Sequence, residues 1–453
     1  MIGKMNSKLN KILLMILFMG FFGTLFLGKG VSTITEMATV DWYVTFGYDD
    51  VDQGYSCAVD SNGNAYVAGN SKINGGNTNA TLIKYNQNGI YQWNLTWGGQ
   101  FTDGANSVCV DSLDNIYLAG KTYSLGADTF NGDAFIAKYD NSGILIWNRT
   151  WGGSEYDYAS DVYIDLYERV HVICTTSSYG AGSSDVAYLR YNGTGFLEST
   201  LIWGGSSTET SAAIEEDSEH NFIISGSTSS FGNGNADAFI LFLDTAGTLL
   251  WNTTWGTNKL DRAYNLALDS NDNIYLAGWT YYPSIFQATV GIYDISYCLV
   301  KIDTNGNALW SRLWGSSEYQ DYGVGVAIDS NDNIYFVGEG LNGGWGIDNV
   351  YMAKFNTDGV LVSETTWGGG HYENPHSITI DKTTNDIFVA GDSSSFNLER
   401  NTDILLIKNP TFPMESSNGV ISNDTIPGFS LFIFICLTTV IVLVIIKKKL
   451  VKV

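Results

Sequence analysis

An acidic residue recurs seven times along this chain in one local setting: Asp52, Asp103, Asp157, Glu209, Asp261, Asp321 and Glu373. Each stands six or seven residues after a Trp-Gly or Phe-Gly step. Each also stands eight residues before a second acid, at Asp60, Asp111, Asp165, Asp217, Asp269, Asp329 and Asp381. Seven carboxylates of the first set, brought into one ring, would offer the hard oxygen ligands that Ca²⁺ prefers. The competing reading is structural: each acid accepts hydrogen bonds from backbone N–H groups of its own Trp-Gly-Gly turn, and recurs because the folding unit recurs.

Other chemistry-bearing groups are sparse. His371, Glu373 and His376 form the one His-rich cluster, with Pro375 interrupting regular geometry and no further metal ligand nearby. His171 and His220 are isolated. Asp269–Asn273 and Asp329–Asn333 share an Asp-Ser-Asn-Asp-Asn sequence that resembles a calcium loop superficially. They lack the Gly and closing Glu of an EF-hand, so Asx-stabilised turns explain them better. A basic residue recurs at Lys84, Lys138, Arg190, Lys301, Lys354 and Lys408, as expected for an ion pair inside each unit. The chain carries no Gly-x-Ser-x-Gly, His-Glu-x-x-His or phosphate-binding glycine loop, which argues against an enzyme. Acidic pairs are numerous enough that a two-carboxylate glycosidase stays open as an alternative.

The elements that position these residues follow from the period. The Trp-Gly or Phe-Gly step falls at Phe46, Trp97, Trp151, Trp203, Trp255, Trp314 and Trp367, at intervals of 51 to 59 residues. Such a period marks an array of like supersecondary units. In the second copy, short runs predict four strands, a to d: Ala105–Val110 (a), Ile116–Ala119 (b), Ala134–Tyr139 (c) and Ile144–Trp151 (d). Asn/Asp/Gly turns join the first to the second and the third to the fourth. Four antiparallel strands repeated about an axis predict an all-β fold, a seven-bladed β-propeller. The last copy lacks a fourth strand, and Trp42-Tyr43-Val44-Thr45-Phe46-Gly47 supplies one, closing the ring. Short a–b and c–d turns then share one face. The long d–a and b–c links share the other, with the insertion between Trp279 and Tyr297 in the fifth blade. The acid ring is expected at the channel mouth on the long-link face. Small residues two places on (Gly54, Ala105, Ala159, Ser211, Ala263, Gly323, Pro375) fit close packing.

The Trp-Gly-Gly step, the Asp-x7-Asp spacing and the Ile-Tyr-x-Ala-Gly strand (Ile116–Gly120, Ile274–Gly278) resemble a bacterial and archaeal family of seven-bladed propeller repeats, the SBBP type. The resemblance covers 41–408 and implies the fold and a surface location. The family has no single assigned activity, so no catalytic residue is implied. Phe46-Gly47-Tyr48, Trp255-Gly256-Thr257 and Trp314-Gly315-Ser316 depart from the signature without losing register.

The 453 residues carry a net charge of −24, and the region 41–409 alone holds 44 acidic against 15 basic residues. Such a surface repels nucleic acid. Gly is abundant (50) and Pro scarce (5), as suits short strands and tight turns. The five cysteines do not form a disulfide framework, because Cys57 and Cys109 are expected on opposite sheet faces and the others lie apart.

Lys4, Lys8 and Lys11 before the apolar run 12–27 make residues 1–38 a signal peptide or signal anchor. After a linker (410–426), the apolar segment 427–449 predicts a C-terminal transmembrane helix, and Lys447–Lys449 place the tail 450–453 in the cytoplasm. Pro427-Gly428-Phe429 and the run after it are similar to archaeal surface-protein tails that are sorted and processed. The sequence therefore predicts a monomeric propeller at the cell membrane, exposed outside the cell, binding a protein or glycan through its long-link face. The alternatives are an exported enzyme acting on polysaccharide and a cation-dependent surface-layer component.

Overall fold

The computed structural model describes residues 38–412, except 49, 73–75, 127–129, 283–293, 316–319, 342–347 and 397–400. The apolar segments expected to export and anchor the chain lie outside the described residues. Among the described residues there are 28 strands, and no helix is long and apolar enough to cross a membrane.

The chain opens on β1 (Trp42–Phe46). Blade 1 is β2 (Gln53–Val59), β3 (Ala65–Lys72), β4 (Thr78–Tyr85) and β5 (Tyr91–Trp97). Blade 2 is β6 (Asp103–Val110), β7 (Ile116–Thr122), β8 (Asp133–Tyr139) and β9 (Leu145–Trp151). Blade 3 is β10 (Asp157–Ile164), β11 (Val170–Thr176), β12 (Asp185–Tyr191) and β13 (Leu197–Trp203). Blade 4 is β14 (Glu209–Glu216), β15 (Phe222–Thr228), β16 (Asp237–Leu243) and β17 (Leu249–Trp255). Blade 5 is β18 (Asp261–Leu268), β19 (Ile274–Tyr282), β20 (Asp294–Ile302) and β21 (Ala308–Trp314). Blade 6 is β22 (Tyr322–Ile328), β23 (Ile334–Leu341), β24 (Asp348–Phe355) and β25 (Leu361–Trp367). Blade 7 takes β26 (Glu373–Ile380), β27 (Ile387–Ser393) and β28 (Asp403–Lys408).

Blade 7 is completed by β1, which pairs antiparallel with β28 from Trp42↔Lys408 to Phe46↔Ile404. The expected seven four-stranded blades and their closure are present. The first strands of neighbouring blades touch all the way round, β2 to β6 and on to β26, which touches β2 again. These strands are therefore innermost. Closure hides what would be an open sheet edge.

A single blade exposes two apolar faces, so the core forms between blades. One cluster joins Leu82 and Trp97 of blade 1 to Val108, Leu118 and Phe135 of blade 2, with Trp97 stacked 3.9 Å from Phe135. At the seam, Val67 and Ile83 pack against Phe388 and Leu406, while Trp42, Val44 and Phe46 cover them. The seam also carries a polar tie, from Trp42 Nε1 to the Gln87 carbonyl at 3.2 Å. Trp147 and Trp310 make the same bond to the next blade, to Gly193 and Thr357.

The a–b turns are Asx-stabilised, as the sequence predicts. Asp111 Oδ1 accepts from the backbone N–H of Leu113 and Asn115, and Asp114 takes the left-handed conformation at φ 60°. These turns also link blades. The hydroxyls of Ser61, Ser218 and Ser270 donate to Asp114, Asp272 and Asp332 of the following blade.

The structure begins each innermost strand earlier than the hydrophobic pattern suggests. In blade 2 it starts at Asp103 rather than Ala105, and the second strand runs on to Thr122, because Asp103 pairs with Thr122 and accepts its hydroxyl hydrogen bond. The glycine of the Trp-Gly step has a steric cause. A Cβ on Gly152 would overlap Asp133 Oδ1 and come within 2.8 Å of Asp157 Oδ2. Gly204 and Gly256 are held the same way, by Asp185 with Glu209 and by Asp237 with Asp261. Gly152→Ala should therefore lower unfolding free energy by about 1–3 kcal/mol. Urea unfolding checks this, and an unchanged midpoint would contradict the packing argument.

Candidate binding site in the axial cavity

The innermost strands do not pair evenly with their neighbours. In every blade the register slips between the residues two and four places after the recurring acid: Gly54/Ser56, Ala105/Ser107, Ala159/Asp161, Ser211/Ala213, Ala263/Asn265, Gly323/Gly325 and Pro375/Ser377. Each slip leaves one residue without a partner across the ladder. A bulge of this kind bends the strand and re-aims a side chain. The seven bulge residues are Tyr55, Asn106, Ser160, Ala212, Tyr264, Val324 and His376. All seven line a cavity of about 670 Å³ on the propeller axis. The cavity sits towards the starts of the innermost strands, hence on the face of the d–a and b–c links.

The wall has two sides. Blades 5 and 6 contribute Tyr264, Trp279 and Tyr322, with Trp279 and Tyr322 edge-to-face at 5.8 Å. The Arg262 guanidinium lies 5.9 Å from the Trp279 ring. Blades 2 to 4 contribute Asn106, Ser107, Ser160, Asp161, Thr210 and Ser211, together with the Tyr158 ring. Ser160 and Ser211 hydroxyls are 2.8 Å apart. Between the two sides, Tyr55 and His376 stand ring to ring at 5.0 Å, and His376 Nε2 lies 2.6 Å from Asp392 Oδ1.

Two wall carboxyls have shifted acidity. Burial pushes Asp161 up from 3.8 to about 6, against donors from Ser107 Oγ, the Ile214 N–H and the Val162 N–H. Burial pushes Glu339 up to about 7; Asp348 and Asp392 add to the rise, while His376 opposes it.

The seven acids of the proposed ring lie elsewhere, each buried within its own junction, and none is among the cavity-lining residues. Asp103, Asp157, Glu209, Asp261 and Glu373 accept from the backbone N–H of Gly99, Gly153, Gly205, Thr257 and Gly369 at 2.7–2.9 Å. Asp52 does the same with Tyr48 at 2.6 Å. Their second oxygens take further donors: Thr228 Oγ1 reaches Glu209 at 2.8 Å and Ser393 Oγ reaches Glu373 at 3.0 Å. Asp321 is likewise buried. Among the described residues no three His, Cys, Asp or Glu side chains come together as a metal site.

The His371–Glu373–His376 grouping is not brought together around one point. Glu373 turns to Gly369 and Ser393, and His376 turns to Asp392. His171 is a core residue, between Tyr188, Asp165 and the Phe222 ring. The strand-c bases form the expected ion pairs in four blades: Lys138–Asp111 at 3.4 Å, Lys301–Asp269 at 3.1 Å, Lys84–Asp60 at 3.7 Å and Lys408–Asp386 at 2.7 Å. Arg190 pairs with Glu198 instead. Cys57, Cys109, Cys174 and Cys298 are free thiols. The bulge residues escaped sequence reasoning because an extra residue in a strand leaves no compositional mark. Their one signal was divergence at a fixed offset from a recurring acid.

Three stretches of the chain, 43–77, 253–281 and 309–343, match the family described as SBBP, beta-propeller repeat. The chain is a seven-bladed propeller that is SBBP-like in these three stretches. The matches run from an outermost strand across the Trp-Gly or Phe-Gly step into the next two strands, so the SBBP unit spans the blade junction. An uncharacterized WD repeat-containing protein of Acanthamoeba polyphaga mimivirus is 22% identical, over 58% of this chain and 26% of its own length. The chain thus spans about a quarter of that curated relative. A polysaccharide lyase of family PL25, an ulvan lyase, superposes with a TM-score of 0.51 at 14% identity, over 80% of this chain and 95% of the lyase. The WD40 domain of Neurospora crassa Pan2 also gives 0.51, at 10% identity, over 84% of this chain and all of the domain. At these identities the likeness concerns the fold alone.

The Asp161 shift has a sign. Between pH 3.8 and about 6 the folded chain holds a proton that the unfolded chain has released, so stability falls as pH rises through that window. The unfolding free energy of wild type minus that of Asp161→Asn should decline from pH 4 to pH 6.5 by on the order of 1–3 kcal/mol. A flat difference in urea unfolding across that range would contradict the assignment.

Proposed function

We propose that this propeller is a binding scaffold, which takes its ligand on the face of the d–a and b–c links, at the mouth of the axial cavity. The observation that carries the reading is the bulge ring: seven equivalent positions face one cavity, and they hold six different residue types. Rigid scaffolds place recognition on such variable positions. Exposed aromatics rim the same face, with Phe101 and Tyr372 on d–a links about half exposed. Aromatic side chains of this kind anchor interfaces.

We also propose, from the charged and apolar segments at both ends, that the chain is exported and anchored in a membrane by 427–449, with the propeller outside the cell and partnered by a protein or glycan. An exported enzyme acting on polysaccharide is the second reading, favoured by the titratable groups Tyr55, His376 and Asp161 in one cavity. A membrane-impermeant lysine reagent on intact cells tests the address: propeller lysines should be labelled and Lys447–Lys449 protected. Protection of the propeller would overturn it. Phe101→Asp with Tyr372→Asp should abolish retention of the purified chain on intact cells, whereas Tyr167→Asp on the opposite face should not.

For the seven acids we propose a structural role rather than a calcium ring, because all seven are buried and six of them accept from donors of the junctions they sit in. The thermal midpoint should then differ by less than about 2 °C between calcium and chelator at fixed ionic strength. A larger rise in calcium, lost in Asp103→Asn with Asp157→Asn, would restore the cation-dependent reading.

A further inference from the structure

We propose that the axial cavity takes a neutral saccharide unit. The inference rests on the binding-scaffold reading and names the ligand class of that site. In a seven-membered ring blade 2 stands across from the junction of blades 5 and 6. The Asn106 and Ser107 side therefore faces the Tyr264, Trp279 and Tyr322 side across the axis. A ligand filling the cavity meets the aromatic cluster of Tyr264, Trp279 and Tyr322 on one side and an arc of hydroxyl and amide groups on the other, with Tyr158 as a further ring within that arc.

Few ligand classes match both sides at once. A wholly apolar ligand would strip water from the Thr210 hydroxyl and from the lone pairs that Ser107 and Ser160 do not use in their bonds to Asp161 and Ser211, and would return no hydrogen bond. A phosphate or polyanion meets Asp161 and Glu339 in the wall, with Arg262 as the one permanent cation lining it. It meets them inside a strongly acidic propeller. A pyranose has both characters. Its axial C–H face packs on an aromatic ring, and its equatorial hydroxyls both donate and accept. Hydroxyl and amide groups can satisfy either role, and Tyr and Trp combine an apolar body with a polar handle. Cavities of about 300–1,000 Å³ suit small-molecule ligands, and 670 Å³ holds a saccharide unit of one to a few rings.

The bulges make the aromatic side particular to certain blades. At one position the ring carries Tyr264 and Tyr55 where another blade carries Ala212. Neighbouring positions that hold the blades together stay small, as Gly323 does where a Cβ would press on the Gly278 carbonyl of the preceding blade. The aromatic wall is therefore an addition to the blade plan rather than part of it.

The test is calorimetric titration of the full-length chain with cellohexaose, maltohexaose, mannohexaose and galactohexaose as neutral probes and oligogalacturonate as the acidic one. At least one neutral probe should bind. Tyr322→Ala and Asn106→Ala should each weaken it at least tenfold, and Tyr167→Ala on the opposite face should leave it unchanged. If Tyr322→Ala lowers the melting midpoint, Tyr264→Ala, at a half-exposed site, takes its place. Absence of neutral binding, tighter binding of oligogalacturonate, or binding indifferent to the cavity variants would overturn the proposal. Cell retention that is still lost in the Phe101 and Tyr372 variant, without saccharide binding, would leave the scaffold reading standing and remove only this inference.

Discussion

A carboxylate taken out of water must find donors for its lone pairs, and this constraint shapes every junction of the ring. Burial of an unpaired charge costs several kcal/mol. At each of six junctions the acid that opens the innermost strand meets the backbone N–H of the turn after the Trp-Gly or Phe-Gly step. Burial pushes Asp52, Asp261 and Glu373 upward in pKa even so. The acid thereby ties the outermost strand of one blade to the innermost strand of the next. The glycine is the corresponding steric term, since two carboxyl groups converge where a Cβ would be at Gly47, Gly152, Gly204 and Gly256, and a carboxyl and an amide at Gly98 and Gly368.

With the junctions held in this way, the inner ends of the strands are free to vary. The bulge residue three places beyond the acid projects one side chain per blade inward; Asn106 and Ser160 add a hydrogen bond to the next blade, but the blades pack in the same register whatever residue stands there. Tyr264 and Ala212 occupy equivalent places with no change of register around them. The ring thus separates holding from presenting. Positions that recur close the blades on one another, and positions that diverge face the cavity.

Most of the architecture was legible because it is periodic. Seven Trp-Gly or Phe-Gly steps, the Asx turns and the missing fourth strand of the last copy led to seven blades and a seam at Trp42–Phe46. In the second blade the start of the innermost strand was misjudged by two residues, because Asp103 and Gly104 do not look like strand residues until the Thr122 hydroxyl is seen to hold the acid. The acids were recognised, but their depth was not. A sequence shows that seven carboxylates recur, whereas only coordinates show that each points sideways into a turn instead of along the axis. Asp133, Asp185 and Asp237, the partners across the glycine, went unnoticed, since Asn79 and Asn349 replace them in two blades and blur the pattern. The cavity wall was hidden for a different reason: a bulge shifts the inward face by one residue, so alternation along the strand misassigns it.

The division between holding and presenting is tested most directly by equilibrium urea unfolding of paired alanine variants from the same blade. The pairs are Asp103 with Asn106, Asp157 with Ser160, and Asp261 with Tyr264. The account predicts a loss of at least about 2 kcal/mol for each acid, where buried backbone donors are orphaned. For Tyr264 it predicts a change within about 0.5 kcal/mol, as for other sites outside the packed core, and for Asn106 and Ser160, which each bond to the next blade, a loss of no more than about 1 kcal/mol. Equal losses within the pairs would contradict it, and would mean that the residues facing the cavity are part of what holds the ring together.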